Sequence, residues 1–159
     1  MMNSFSGNLG AFLDVIAWSE IGPDLLATSD NGYNVIVGST AENPDLFSDY
    51  STHPDKLVKL SASLESTAAG RYQQLYHNWV AYRAMLNLPD FGPTSQDMIA
   101  VQQIKEAGAM QDIELGNFND AIAKCAHLWA SFTGAGYGQH EQKLADLRTA
   151  FNDAGGVFA

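Results

Sequence analysis

Leu9-Gly10-Ala11-Phe12-Leu13-Asp14-Val15-Ile16-Ala17-Trp18-Ser19-Glu20-Ile21-Gly22-Pro23 is the stretch on which the reading of this chain turns. Leu9, Phe12, Leu13, Ile16 and Ala17 recur at the three-and-four spacing of one helix face. Gly22 and Pro23 then stop the helix. Glu20 therefore sits on the last turn, between Trp18 and Ile21. The negative end of the helix disfavours a second negative charge there. Apolar neighbours disfavour the ionised form as well. A carboxyl kept protonated near neutral pH is what a general acid needs. Taken alone, the stretch leaves open an ordinary solvated glutamate past a helix end.

The chain has 159 residues, the size of one ordinary domain, with 46% hydrophobic and 16% charged residues, enough for a real core. Its formal net charge is −10, from 8 basic and 18 acidic residues. Nucleic-acid binders need a basic face and anionic membranes attract basic segments, so the charge argues against both partners. No run of apolar residues is long enough to span a bilayer, and Met1–Gly7 lacks the basic start and apolar core of a secretory signal. Cys125, the lone cysteine, falls on an apolar helical stripe and reads as a small buried hydrophobe. His53, His77, His127 and His140 lack ligand spacing, so no metal and no cofactor is expected.

Outward from the first helix, expected over Leu9–Ser19 with Asn8 as its cap, Pro23–Asn31 reads as a polar loop closed by an Asn31-Gly32 turn. Tyr33–Val37 reads as a strand, 39–56 as loop or a hairpin partner, and Leu57–Leu60 as a second short strand. The pattern turns helical from about Ala68. It breaks at Leu88–Pro93, and Thr94 or Ser95 caps a helix that finishes near Gly108. A short helix then ends at Gly116, Asn117 caps another, and Ser131–Gly138 is a glycine-rich loop. A last helix spans about Glu141–Ala154 with Gly155-Gly156 behind it. The expected architecture is α+β, mainly α: one helical domain over 1–159 with a small β-rich subregion at 31–60.

Two further stretches combine loops with chemistry. Ala69-Gly70-Arg71-Tyr72-Gln73-Gln74, at a helix start, offers an aromatic and an amide of the kind that hold sugars; Tyr72 reads equally as core. Gly134-Ala135-Gly136-Tyr137-Gly138-Gln139 bares its backbone to a ligand, or is simply a flexible connection. Ser19 lacks a nucleophile-elbow context. Asp24, Asp30 and Asp49 are each open as a second carboxylate, because sequence does not supply the separations that distinguish retaining from inverting glycosidases.

These segments, with Gly32-Tyr33-Asn34-Val35-Ile36-Val37-Gly38, Asp49-Tyr50-Ser51, His53-Pro54, Ser66-Thr67, Gln102–Glu106 and Trp129-Ala130-Ser131, occur in one order along nearly the whole chain. In that set the chain resembles the lambda-type endolysins of bacteriophages, which are peptidoglycan lytic transglycosylases. The resemblance implies a lysozyme-like fold with a small β-sheet lip beside a helical domain. It implies cleavage of the β-1,4 bond between N-acetylmuramic acid and N-acetylglucosamine without water, leaving a 1,6-anhydro product. The family's single catalytic glutamate falls on Glu20. Gly70–Gln73 looks like the Gly-Leu-Met-Gln segment of lytic transglycosylases, and Tyr137 like the tyrosine of their Ala-Tyr-Asn-x-Gly segment. Tyr137, Gln73, Tyr72 and Asn34 are then the expected substrate-binding residues, Asn34 standing where the lambda-type pattern has aspartate. The implied partners are peptidoglycan glycan strands and a holin. The implied protein is a monomer, made in the host cytoplasm and acting in the periplasm. A hydrolytic lysozyme using Asp24, Asp30 or Asp49, and a silent glycan-binding domain, are the competing expectations.

Overall fold

The computed structural model of the chain describes residues 3–138 and 140–159. Met1, Met2 and Gln139 lie outside the described residues, and with them part of the N-terminal and glycine-loop expectations. Two compact units are present, one of residues up to Glu20 with Ala100–Ala159, the other of Ile21–Ile99.

In the first unit, α1 (Gly7–Glu20) is buried nearly all round: Ala11, Phe12, Leu13, Val15, Ile16 and Ala17 are all inaccessible to solvent or nearly so. The apolar residues thus form more than the single expected stripe, as befits a helix wrapped by others. It packs against α5 (Met110–Leu115) and α7 (Leu144–Asp153). Phe12 meets Phe118 and Phe132 edge-on, with ring centres about 6 Å apart. Phe118, on α6 (Phe118–Cys125), also packs on Phe151 of α7. Cys125 is buried as expected, its thiol pushed up to about 12 by burial. Asn8 is not a cap. It lies inside α1, and its amide donates to the carbonyls of Ile113 and Val157 while its oxygen accepts from Val157 N–H, stapling the C-terminal segment down. Asn117 precedes α6 but its side chain makes no capping bond. The last helix starts at Leu144 rather than Glu141, because Glu141 and Gln142 are engaged by the glycine loop.

In the second unit, the expected loop after Pro23 holds a short helix, α2 (Pro23–Thr28), with proline at its first position. Asn31 and Gly32 both take left-handed backbone (φ 52° and 84°), as their turn reading requires. Tyr33–Val37 does not form a strand. Val35 bridges Leu46 and Ile36 bridges Ala69, one pair on each side, so no ladder of successive pairs can form. The sheet is instead the antiparallel pair β1 (Val58–Ser61) and β2 (Leu64–Ser66). The strand expected near Leu57–Leu60 is therefore present, with a partner that follows it. Helix α3 (Tyr76–Leu86) begins eight residues later than the pattern suggested. The reason is local: Gly70 and Gln73 are left-handed (φ 85° and 50°), and Ala69 and Gln74 pair in both directions. Gly70–Gln73 is thus the turn of a tight hairpin, not a helix start.

α4 (Pro93–Glu106) contributes Pro93–Ile99 to this unit and the remainder to the first. Thr94 and Ser95 fall within its first turn; Asp90 is the side chain that accepts from Gly92 N–H and Ser95 Oγ. Ile36, Ala69, Trp79, Leu88, Phe91 and Ile99 form the core beneath. Gln96 locks the Gly70 turn, accepting from Arg71 N–H at 2.9 Å and donating to the carbonyls of Tyr33 and Phe91. A methyl on Gly70 would lie 2.4 Å from the Gln96 Oε1 atom. Gly70→Ala combines left-handed strain with a broken buried hydrogen bond, and is expected to cost about 2–4 kcal/mol in urea unfolding.

Candidate active site

Glu20 is the last residue of α1, half-buried, and its apolar surroundings raise its pKa above the ordinary carboxylate value. Burial is the dominant cause. Ser131 opposes it: its hydroxyl donates a hydrogen bond to Glu20 Oε2, and its backbone N–H also supports the carboxylate. Ser131 Oγ lies 2.7 Å from Ser19 Oγ, so Ser19, Ser131 and Glu20 form one hydrogen-bonded chain. Ser19 itself is buried. The carboxyl is thus desolvated enough to hold a proton, yet has a donor that steadies its anion. A group that must give up a proton and later take one back needs both properties.

Sequence reading did not assign Ser131 a part in this centre. It stands 111 positions from Glu20 in the chain, and its one local signal is that it opens the glycine-rich loop. That loop is shaped by Gly134, Gly136 and Gly138, all left-handed (φ 85°, 77° and 73°). Tyr137 lies on it, with its ring exposed and its hydroxyl donating to the His127 carbonyl at 2.7 Å. The structure therefore brings Ser19 and Ser131 to Glu20, and places Tyr137 on the loop that Ser131 begins.

The remaining expected residues lie in the second unit. Gln73 is half-buried at the hairpin turn, its amide donating to the carbonyls of Gly70 (2.8 Å) and Val35 (3.3 Å). Asn34 is half-buried and its Oδ1 accepts from Asp30 N–H. Tyr72 is not an exposed platform for a sugar ring: it is fully buried. Its hydroxyl donates to Asp97 Oδ1 at 2.6 Å, and Tyr33 donates to the same oxygen at 2.8 Å. The Arg71 guanidinium lies over both rings and donates to the Asn31 carbonyl and the Tyr72 hydroxyl. Burial, above all, holds the Tyr72 phenol well above its ordinary pKa, so it stays a donor. This aromatic–guanidinium–carboxylate cluster supports the Gly70–Gln73 turn from below.

Of the possible second carboxylates, Asp24 is exposed in the first turn of α2. Asp30 is exposed and accepts from the Tyr50 hydroxyl at 2.5 Å. Asp49 accepts from Ser51 N–H, which holds its pKa below the usual value.

A helix-end glutamate with these partners, in a mainly helical chain with one small antiparallel sheet, is the arrangement of a lysozyme-like protein. The endolysin family model matches residues 10–158. The chain is 53% identical over 149 residues to the endolysin of Escherichia phage lambda, covering 92% of this chain and 90% of the relative. It is 47% identical over 155 residues to that of Escherichia phage P2, covering 94% of each. Bacteriophage lambda lysozyme complexed with a chitohexasaccharide superposes with a TM-score of 0.89 at 49% identity, over 99% of this chain and 100% of that one. Another structure, lysozyme from bacteriophage lambda, gives 0.86 at 47% identity with the same coverage. The chain belongs to the endolysin family, the cell-wall-degrading lysozymes of bacteriophages.

Proposed function

We propose that this endolysin is a peptidoglycan lytic transglycosylase, with Glu20 as its catalytic acid and base. The observation that carries the reading is the half-buried Glu20 carboxyl with its raised pKa and its Ser131 donor. Glu20 protonates the leaving oxygen of the MurNAc–GlcNAc bond while positive charge grows at C1. The substrate's own N-acetyl group traps that charge, so no enzymic nucleophile is required. The ionised Glu20, steadied by Ser131, then takes the proton from the muramic acid C6 hydroxyl, which closes onto C1 as the 1,6-anhydro ring. One carboxyl serves both steps. The engagement of Asp30 by Tyr50 and of Asp49 by Ser51 supports this economy. Gln73 and Asn34 bind the glycan, and Tyr137 orients the acetyl group or the ring. The chitohexasaccharide held by the related lambda lysozyme supports a glycan strand as substrate.

The family match over residues 10–158 supports reading the chain as one catalytic domain, and we place its action, as a monomer, on the wall in the periplasm, as the resemblance to lambda-type endolysins implies. Among the described residues no helix is long and apolar enough to cross a membrane. A holin is the partner that the resemblance to lambda-type endolysins implies for the route from the host cytoplasm.

Mass spectrometry of fragments released from purified peptidoglycan tests the mechanism. Anhydromuramic ends are expected. Reducing ends carrying one added water would mean hydrolysis, and would turn attention to Asp24, Asp30 and Asp49. No soluble fragments from folded protein would mean a glycan-binding domain.

A net charge of −10 facing acidic stem peptides has a kinetic consequence. Salt screens that repulsion, so the lytic rate is expected to rise from low to moderate ionic strength in a turbidity assay. A rate that only falls with added salt would count against it.

A further inference from the structure

We propose that Glu141 is a positioning residue for this chemistry: its carboxylate clamps the glycine loop, and the clamped loop holds Ser131 against Glu20. The inference rests on Glu20 being the acid, as proposed above.

The loop needs a clamp. Gly134, Gly136 and Gly138 leave its backbone free to sample many conformations, and each glycine raises the entropy lost on ordering. Two contacts close its base: Gln142 N–H donates to the Ser131 carbonyl at 2.7 Å, and Thr133 Oγ1 donates to the Gln142 carbonyl at 2.5 Å. These do not reach the glycines. Glu141 does. Its Oε1 accepts from Gly134 N–H at 3.0 Å and its Oε2 from Gly136 N–H at 2.9 Å. Two amide hydrogens only two residues apart converge on one carboxylate because both glycines are left-handed, a backbone shape that forms an anion-holding concavity. Such bonds to an ionised acceptor are stronger than neutral ones. The same two N–H groups keep Glu141 ionised, below the usual carboxylate value.

The other end of this loop carries the active-site contact. Ser131 donates to Glu20 and pairs with Ser19. Glu141 is therefore linked to the acid through the loop backbone from Gly134 back to Ser131. Glu141 touches no reacting atom. Its effect on catalysis passes through Ser131, and that dependence can be measured.

The test compares wild type, Glu141→Gln, Glu141→Ala, Ser131→Ala, the Ser131→Ala/Glu141→Ala double variant and Glu20→Gln. Each is assayed for kcat/KM on purified peptidoglycan across pH, with near-ultraviolet circular dichroism to confirm folding. Ser131 stabilises the Glu20 anion, so its loss raises the pKa of Glu20 and moves the alkaline limb of the pH profile upward. Glu141→Ala is expected to lower kcat/KM about tenfold, below the roughly 10²–10⁴-fold that the proton transfer itself contributes, and to move that limb the same way. Glu141→Gln, which keeps one acceptor, should fall between it and wild type. In the Ser131→Ala background, Glu141→Ala should add less than about twofold, the signature of two residues acting through one contact.

Multiplicative losses in the double variant would overturn the clamp. So would a lowered melting temperature with an unmoved alkaline limb, because a purely structural role has that outcome. Full activity in Glu20→Gln would overturn the acid assignment and the clamp with it. An inactive Glu20→Gln beside fully active Glu141 variants would remove the clamp alone.

Discussion

Glu20→Gln is expected to lower cleavage of purified peptidoglycan by about 10³-fold or more, the range lost when a positioned proton donor is removed. Glutamine matches glutamate in shape and its oxygen can still accept from Ser131, so the fold and the Ser19–Ser131 contact should survive. What disappears is the transferable proton. The same substitution should raise stability, increasingly as pH rises above the ordinary carboxylate value. Burial raises the folded-state pKa of Glu20 above its unfolded value. The native state therefore favours the protonated carboxyl, and its advantage is lost as pH rises through the folded pKa. Above that point the wild type holds a desolvated charge that glutamine lacks. Melting temperatures compared at pH 4 and pH 8 should agree at the lower pH, with the variant higher at pH 8. An active Glu20→Gln protein would exclude the mechanism; an inactive variant with no gain at pH 8 would instead show that burial does not strain the carboxylate.

Asp97→Ala should be among the most destabilising single changes in the chain. Asp97 is fully buried, and one of its oxygens accepts from both Tyr33 and Tyr72. Removing it takes from two buried phenols the acceptor they share, at about 1–3 kcal/mol each. It also strips a carboxylate from the cluster that includes the buried Arg71 guanidinium. A loss of about 2–6 kcal/mol follows from the two hydroxyls alone. For a chain of this length that is a drop in melting temperature of roughly 10 °C. Tyr72→Phe leaves Asp97 to accept from Tyr33 but takes one acceptor from Arg71, and should cost less, about 1–2 kcal/mol. Calorimetry on the two variants separates these expectations. Equal losses would mean that packing of the rings, not the shared acceptor, holds the cluster.

Glu20 was legible because every signal that places it is local. The apolar spacing makes the helix, Gly22 and Pro23 end it, and the carboxyl falls on the last turn without reference to any distant residue. The turn at Asn31-Gly32, the stop at Gly116 and the strand near Val58 were legible on the same terms. Tyr72 was not. An aromatic at helical spacing beside a glycine reads equally as sugar platform or core, and what settled it was Asp97, 25 positions away, accepting its hydroxyl. The reading of Gly70–Gln73 as a helix start failed for a related reason. Left-handed backbone at Gln73 is imposed by pairing between Ala69 and Gln74 and by the Gln96 lock, not by any residue preference of its own.

By itself, then, the amino-acid sequence determined the mainly helical class, a glutamate at the end of the first helix, the glycine-rich loop and a net charge of −10. These depend on composition, periodicity and chain-breaking residues, all properties of neighbours in the chain. Tertiary structure alone decided that Ser131 and Ser19 meet Glu20, that Glu141 holds the loop's amides, and that Asn8 staples the C-terminal segment rather than capping a helix. Each of those is a polar group whose partner is chosen by burial. Away from water a donor or acceptor must find whatever group folding brings within reach, and sequence separation places no limit on which one that is.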